Sequence, residues 1–142
     1  MNPDQNKTLR TQGIALLVML VIQYVLGMYV NQFTQFPQDA SAGQLWEFSW
    51  QQPVLAAHII LGILLLIGAI VLWVRATRFH SAAWKSPAMW GFIGILIAGA
   101  SGASFIPSQA APESYLMSLS FLPAFLAYGW GLFRADRDSL RK

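Results

Sequence analysis

Residues 53–74 of the chain read PVLAAHIILGILLLIGAIVLWV. The stretch contains no Asp, Glu, Lys or Arg and is 22 residues long. A helix needs about 20 apolar residues to cross the hydrocarbon core of a bilayer. A proline at position 53 suits the first turn of such a helix, because the backbone N–H that it lacks has no partner there. The stretch therefore predicts a transmembrane helix.

Three other apolar runs, at about 13–30, 87–106 and 114–133, meet the same criterion. Of the 142 residues, 56% are hydrophobic and 11% are charged, whereas about a quarter are charged in a soluble domain. The pI of about 9.6 comes from residues that flank the apolar runs and form no groove-sized patch, so it indicates no nucleic-acid partner. The composition excludes a soluble enzyme and a disordered segment, and it predicts one membrane domain over residues 1–142 in a lipid bilayer.

The loops between these runs predict the topology. Lipid cannot satisfy backbone polar groups, so the four runs are predicted to be helices and the fold an all-α, antiparallel four-helix transmembrane bundle. With both termini cytoplasmic, the charged residues of the two outer loops are all acidic: Asp39, Glu47 and Glu113. The positive-inside rule then places both termini on the cytoplasmic side of a cell's inner (cytoplasmic) membrane. The first run is predicted to be retained as a helix and not cleaved as a signal peptide. All nine basic residues lie on that inner side: Lys7, Arg10, Arg75, Arg78, Lys85, Arg134, Arg137, Arg141 and Lys142.

The first outer loop, residues 31–52, contains a short amphipathic segment. Over 42–50, Leu45, Trp46 and Phe48 lie among polar neighbours, which predicts a short helix on the outer surface. That helix serves either as a membrane anchor or as a lid over a site in the outer leaflet. Aromatic residues are predicted to form belts at both interfaces, and the inner belt comprises Trp73, Phe79, Trp84, Trp90, Trp130 and Phe133.

The third apolar run carries small residues at spacings of three and four. Small residues let transmembrane helices approach closely, so this run is predicted at the centre of the bundle, or in the seam of a homo-oligomer or larger membrane complex. In the fourth run, Pro123 predicts a kink that frees the carbonyl of Leu119, with Ser118 and Ser120 near enough to bind it. The predicted packing residues of the third run are Gly91, Gly94, Ala98 and Gly102.

One side chain in the predicted spans points to chemistry. His58 is an ionisable residue inside a span, which is a functional hypothesis by default because burial in lipid is costly. Met117 and Met28 are predicted at a similar depth near the outer surface, and a His/Met set suits haem iron or a soft metal ion such as Cu(I). The alternatives are a purely structural histidine, satisfied by a neighbouring helix, and a role in quinone binding or proton handling. Because the chain has no cysteine, thiolate metal sites and covalent haem attachment are excluded.

The layout resembles one four-helix half of haem A synthase, and more broadly the four-helix b-type cytochromes of membranes. The resemblance lies in the inside termini, the long first outer loop with a surface helix, and a histidine just inside the second span, here His58. The stretch Gly102-Ala103-Ser104-Phe105 is also similar to small bacterial four-helix membrane proteins with no assigned activity. The chain departs from the synthase pattern in two places. Its fourth span has Met117 where a second histidine is expected. The synthase pattern also has an acidic residue shortly before the first histidine, whereas the nearest one here, Glu47, lies eleven residues before His58.

Three functions follow as hypotheses. The first is a small membrane protein that binds haem b near the outer leaflet for electron transfer or haem handling, as the resemblance implies, with His58 as one axial ligand and Met117, or His58 of a second chain, as the other. A structural or assembly subunit without a cofactor is the second, and a small transporter or lipid-binding protein that uses the kink at Pro123 is the third. The sequence does not decide whether the protein is an enzyme.

Overall fold

The computed structural model describes residues 3–139, and within this range it contains helices and no strand. The five helices are α1 (Pro3–Phe33), α2 (Ala42–Gln51), α3 (Pro53–Arg78), α4 (Lys85–Ser108) and α5 (Ala111–Ser139).

Four of these helices are long and apolar enough to cross a membrane, which confirms the all-α class and the number of predicted spans. The stretches that qualify are longer than predicted, because a helix continues into polar residues that hydropathy leaves out. The largest difference is in α1, where the stretch begins at Asp4 and not near residue 13. The four stretches are Asp4–Phe33, Pro53–Arg78, Lys85–Ser108 and Ala111–Arg137.

The four long helices form a closed ring in the order α1, α3, α4, α5. Each packs against its two neighbours, while the diagonal pairs α1 with α4 and α3 with α5 make no backbone contact in the described chain. Side-chain contacts show that neighbours run antiparallel. On α1 and α3, Gln12 binds Gly68 while Gln23 binds His58, so numbering rises along one helix as it falls along the other.

The main cluster of buried apolar residues occupies one half of the bundle. We call this the basic half, because it includes the basic residues of the described helices; it comprises residues 4–20, 65–95 and 124–137. The other half, which we call the α2 half, comprises residues 21–64 and 96–123. The main buried cluster lies wholly in the basic half: Leu9, Leu16, Leu20, Leu65, Ala69, Leu72, Ala76, Ala83, Trp84, Ala88, Ile95, Ala124, Tyr128 and Ala135.

Trp84 is the largest side chain in the buried cluster of the basic half. It was predicted in an interfacial belt, and this is wrong, because the side chain is 0% exposed. Its ring lies against Gly13 of α1 and Gly131 of α5, where a Cβ would come within 2.8 and 2.7 Å of the ring atom Cζ3. Two glycines on separate helices thus open the space that an indole fills. A tryptophan between two spans has the sequence pattern of a belt residue, and only the three-dimensional arrangement distinguishes the two.

Helix α2 covers the other end of the bundle, in contact with α3 and α4. It begins with a capping box, in which the Ser41 hydroxyl accepts the Gln44 N–H and the Gln44 side chain accepts the Ser41 N–H. Leu45 is buried beneath it, and Phe36 packs on both Phe48 and Phe105. The predicted helix is therefore present. Its position at the membrane surface stays a prediction.

Helices α4 and α5 form a tight hairpin. Gln109, with a φ of 53°, turns the chain in the left-handed region, and its side chain donates to the carbonyl of Ile106 at 2.7 Å. The helix α5 then runs on through Pro123. Ser118 and Ser120 were expected to bind the carbonyl freed at Leu119, but they donate to the carbonyls of Ser114 and Leu116. Each serine hydroxyl donates to the carbonyl four residues earlier on its own helix, because its short side chain reaches that carbonyl.

Candidate functional site

His58 lies in the α2 half, five residues after Pro53 begins helix α3. Its ring is partly buried against α1. A Cβ at Gly27 of α1 would stand 3.0 Å from the ring atom Cε1 of His58. The imidazole therefore occupies space that is available because Gly27 has no side chain. The histidine is therefore part of the interface between α1 and α3.

Gln23 of α1 is the polar partner of His58. Its amide nitrogen donates to the backbone carbonyl of His58 at 3.0 Å and lies 3.3 Å from the ring atom Nε2. Gly62, one turn along α3, makes room for the amide, because a Cβ there would stand 3.2 Å from Gln23 Nε2. If the amide also donates to Nε2, the ring carries its proton on Nδ1.

Two atoms of this pair are buried without a hydrogen-bond partner, Nδ1 of His58 and Oε1 of Gln23. With the ring proton on Nδ1, one is a donor and the other an acceptor. The pair therefore keeps one unused donor and one unused acceptor in the apolar part of the chain. A buried polar group without a partner is costly, so the pair is satisfied only in part.

A second glutamine makes the same kind of link in the basic half. Gln12 donates to the backbone carbonyl of Gly68 at 3.0 Å and accepts from Arg75 at 3.1 Å. Gln12 and Gln23 are eleven residues apart, close to three full turns, so they lie on one face of α1. Two amides on one face thus hold α1 to the backbone of α3 at two heights.

The described contacts place the three predicted ligands against different neighbours. The ring of His58 lies against α1, whereas Met117 packs on α4, where a Cβ at Gly102 would stand 3.1 Å from its sulfur atom. Met28 is 42% exposed on the outside of α1. Helices α3 and α5, which carry His58 and Met117, make no backbone contact within the described range.

A haem held between His58 and Met117 stays a prediction, and it would require both side chains to change their present contacts. Iron binds a histidine through a free ring nitrogen; Nε2 of His58 faces the amide of Gln23, and the nitrogen without a partner, Nδ1, is buried. The sulfur of Met117 is directed at the neighbouring glycine of α4. Ligation would need Gln23 to leave the ring and Met117 to leave Gly102. Within the described residues there is also no group of three His, Cys, Asp or Glu side chains that could hold a metal ion.

The glycines of α4 fall into two sets. Gly91 lies against the ring of Tyr128, Gly94 against Ala124, and Gly102 against Met117, so all three face α5. Ala98 is partly buried between them. Gly99 is exposed, and a Cβ there would meet nothing within 4 Å. Helix α4 thus has a small-residue face that α5 fills and a small residue that the bundle leaves open.

Comparison with protein-family models, with curated proteins and with solved structures finds no match for this chain.

Sequence reasoning missed two residues that organise the bundle, Gln12 and Trp84. Gln12 was assigned to the polar N-terminal segment, before the first span. The spacing of eleven between Gln12 and Gln23 is the signal that could have found it, because it places two amides on one helical face. No comparable signal exists for Trp84, whose glycine partners lie 71 and 47 positions away along the chain.

Proposed function

We propose that this chain is a structural subunit of a larger membrane assembly and works without a cofactor of its own. The observation that carries the proposal is the use made of the polar side chains in its spans. Gln12 and Gln23 both donate to backbone carbonyls of α3, and His58 packs on Gly27 beside the second of these links. Interhelical hydrogen bonds and close glycine contacts are the means by which transmembrane helices associate.

The same proposal includes the orientation in the membrane. The basic residues of the described helices lie at one end of the bundle, where Arg10 pairs with Asp136 at 3.2 Å and Arg75 donates to Gln12. Basic residues favour the cytoplasmic side of a membrane, which supports both termini inside and a location in the cell's inner membrane.

A partner helix is expected at the open part of α4. Gly99 and Ala103 are four residues apart and both exposed, the spacing at which small residues admit a second helix. Leu96 and Ile97, 45% and 41% exposed, provide apolar surface beside them. The partner is either a second copy of this chain or a helix of another subunit, and denaturing electrophoresis of the purified assembly distinguishes them, because only the second gives an additional band.

The experiment is purification of the full chain in a mild detergent from cells supplied with a haem precursor. We expect an assembly heavier than the 15.7 kDa chain, no Soret band, and an unchanged assembly mass for His58→Ala. Gly99→Leu should break the assembly without unfolding the bundle, and Gly129→Leu, whose Cβ also meets nothing within 4 Å, is the matched control.

A Soret band that disappears in His58→Ala would overturn the proposal and establish the haem hypothesis, which stays a prediction until then. A monomeric chain that neither glycine variant affects would also overturn it. The transporter hypothesis requires a ligand cavity between α3 and α5. That hypothesis also stays a prediction.

A further inference from the structure

A cleft of about 390 Å³ opens at the basic end of the bundle, where α3 ends and α4 begins. It lies outside the His58 site and plays no part in the proposed function. Three of its lining residues are apolar and three are polar, and none is acidic: Trp73, Thr77, Ala82, Lys85, Ser86 and Met89.

The mouth of the cleft is suited to an anion. Lys85 is exposed, and no carboxylate pairs with it among the side chains that the structure describes. Lys85 and Ser86 open the 24-residue helix α4, where the backbone N–H of Lys85 already donates to the carbonyl of Ser81, so an anion would be held by the two side chains. An ammonium group and a hydroxyl side by side attract a phosphate group. Thr77 contributes only an acceptor, because its hydroxyl proton is used on the carbonyl of Trp73.

The inner wall of the cleft is suited to hydrocarbon. The indole of Trp73 stacks on Phe92 with the ring centroids 5.4 Å apart and an interplanar angle of 11°. This stacking fixes the orientation of the indole that forms the wall. Met89 and Ala82 continue the apolar surface. Trp73 lies just before Arg75 and Arg78 on α3, and an indole beside arginines is typical of the headgroup level of a membrane.

We infer that this cleft binds one anionic phospholipid, with its phosphate against Lys85 and Ser86 and the start of an acyl chain along Trp73 and Met89. Charge complementarity selects an anionic ligand, because the lining carries one cation and no acid. The apolar wall selects a lipid over a free anion, since inorganic phosphate gains nothing from Trp73 and Met89.

Native mass spectrometry of the full chain tests this inference, with phosphatidylglycerol and phosphatidylcholine offered at equal concentrations. We expect one phosphatidylglycerol to be retained in preference. Lys85→Gln should weaken its binding about fivefold, as expected for loss of one cation near a membrane surface. Lys85→Arg should preserve it. Arg78→Gln, which removes a cation at the same end but outside the cleft lining, is the control and should change binding less than about twofold.

A second variant separates the apolar wall from the charge. Ala82→Trp fills the cleft without altering any charge, and it should remove the retained lipid while the melting temperature stays unchanged, because Ala82 is exposed. Equal retention of the two lipids, or equal losses for Lys85→Gln and Arg78→Gln, would overturn the inference in favour of nonspecific surface charge. Displacement of the lipid by inorganic phosphate alone would overturn it in favour of a free anion.

Discussion

The basic half and the α2 half of this bundle are held together in different ways. In the basic half, large side chains fill spaces that glycines open, as Trp84 does between Gly13 and Gly131 and as Tyr128 does over Gly91. In the α2 half the spaces at Gly27 and Gly62 are filled by the polar side chains of His58 and Gln23. The basic half therefore provides most of the packing by large apolar and aromatic side chains.

The largest effect on the free energy of unfolding is expected from removing the buried indole of Trp84. Trp84→Ala should destabilise the protein by about 3–5 kcal/mol, the usual cost of deleting a buried aromatic side chain. Equilibrium unfolding by SDS in mixed micelles, followed by near-ultraviolet circular dichroism, measures it. Trp90→Ala, six residues further on in α4 and 57% exposed, is the control and should cost much less. Equal losses for the two variants would show that the burial of Trp84 does not decide the stability of the basic half.

The next effect comes from filling a glycine space. Gly91→Ala places a methyl group in the ring of Tyr128, which is 0% exposed and has no room to move. We expect a loss of about 1–3 kcal/mol from overpacking, measured by the same unfolding method. Gly99→Ala on the same helix should stay within about 0.5 kcal/mol of the original protein, since its Cβ meets nothing within 4 Å.

A gain in stability is expected from Tyr128→Phe. The Tyr128 hydroxyl is buried without a hydrogen-bond partner, and an unsatisfied buried polar group costs about 1–3 kcal/mol. Removing the oxygen while keeping the ring should therefore raise the free energy of unfolding by about 1 kcal/mol. Tyr24→Phe, at a side chain 46% exposed, should leave it unchanged. A loss in Tyr128→Phe would mean that the hydroxyl has a bound partner.

The smallest effect sharpens the description of the α2 half. A double-mutant cycle with Gln23→Leu and His58→Ala should give a coupling energy of about 0.6 kcal/mol, the average for interhelical hydrogen bonds in membranes. The cycle of Gln12→Leu with His58→Ala should give none, because Gln12 binds Gly68 in the other half. A coupling in the second cycle as large as in the first would show that the two halves are not independent.

Hydropathy predicted the number and class of the helices, and it predicted the short helix α2 from the mixture of apolar and polar residues before Pro53. These features depend on the composition of single segments. The helix ends were less predictable, because α1 extends to Pro3 and Phe33 at either side of its apolar run. As a result, depths counted from the predicted ends did not indicate the contact between Gln23 and His58.

The partners of His58 could not be predicted for a different reason. Which face of α3 meets which face of α1 depends on helix rotation, and the apolar runs here are apolar on all sides. Met117 and Met28 matched His58 in depth, but depth leaves rotation undetermined. Trp84 shows the same limit, since its burial depends on glycines of two distant helices.

The tight turn at Gln109 bears on how the protein enters its membrane. Helices α4 and α5 touch from Gly91 with Tyr128 to Gly102 with Met117, and the residues of these two pairs are 37 and 15 positions apart along the chain. Contacts made across this single turn lose less loop entropy than the contacts of α5 with α1. Helices α4 and α5 can thus cross the bilayer as a hairpin and dock onto α1 and α3 afterwards.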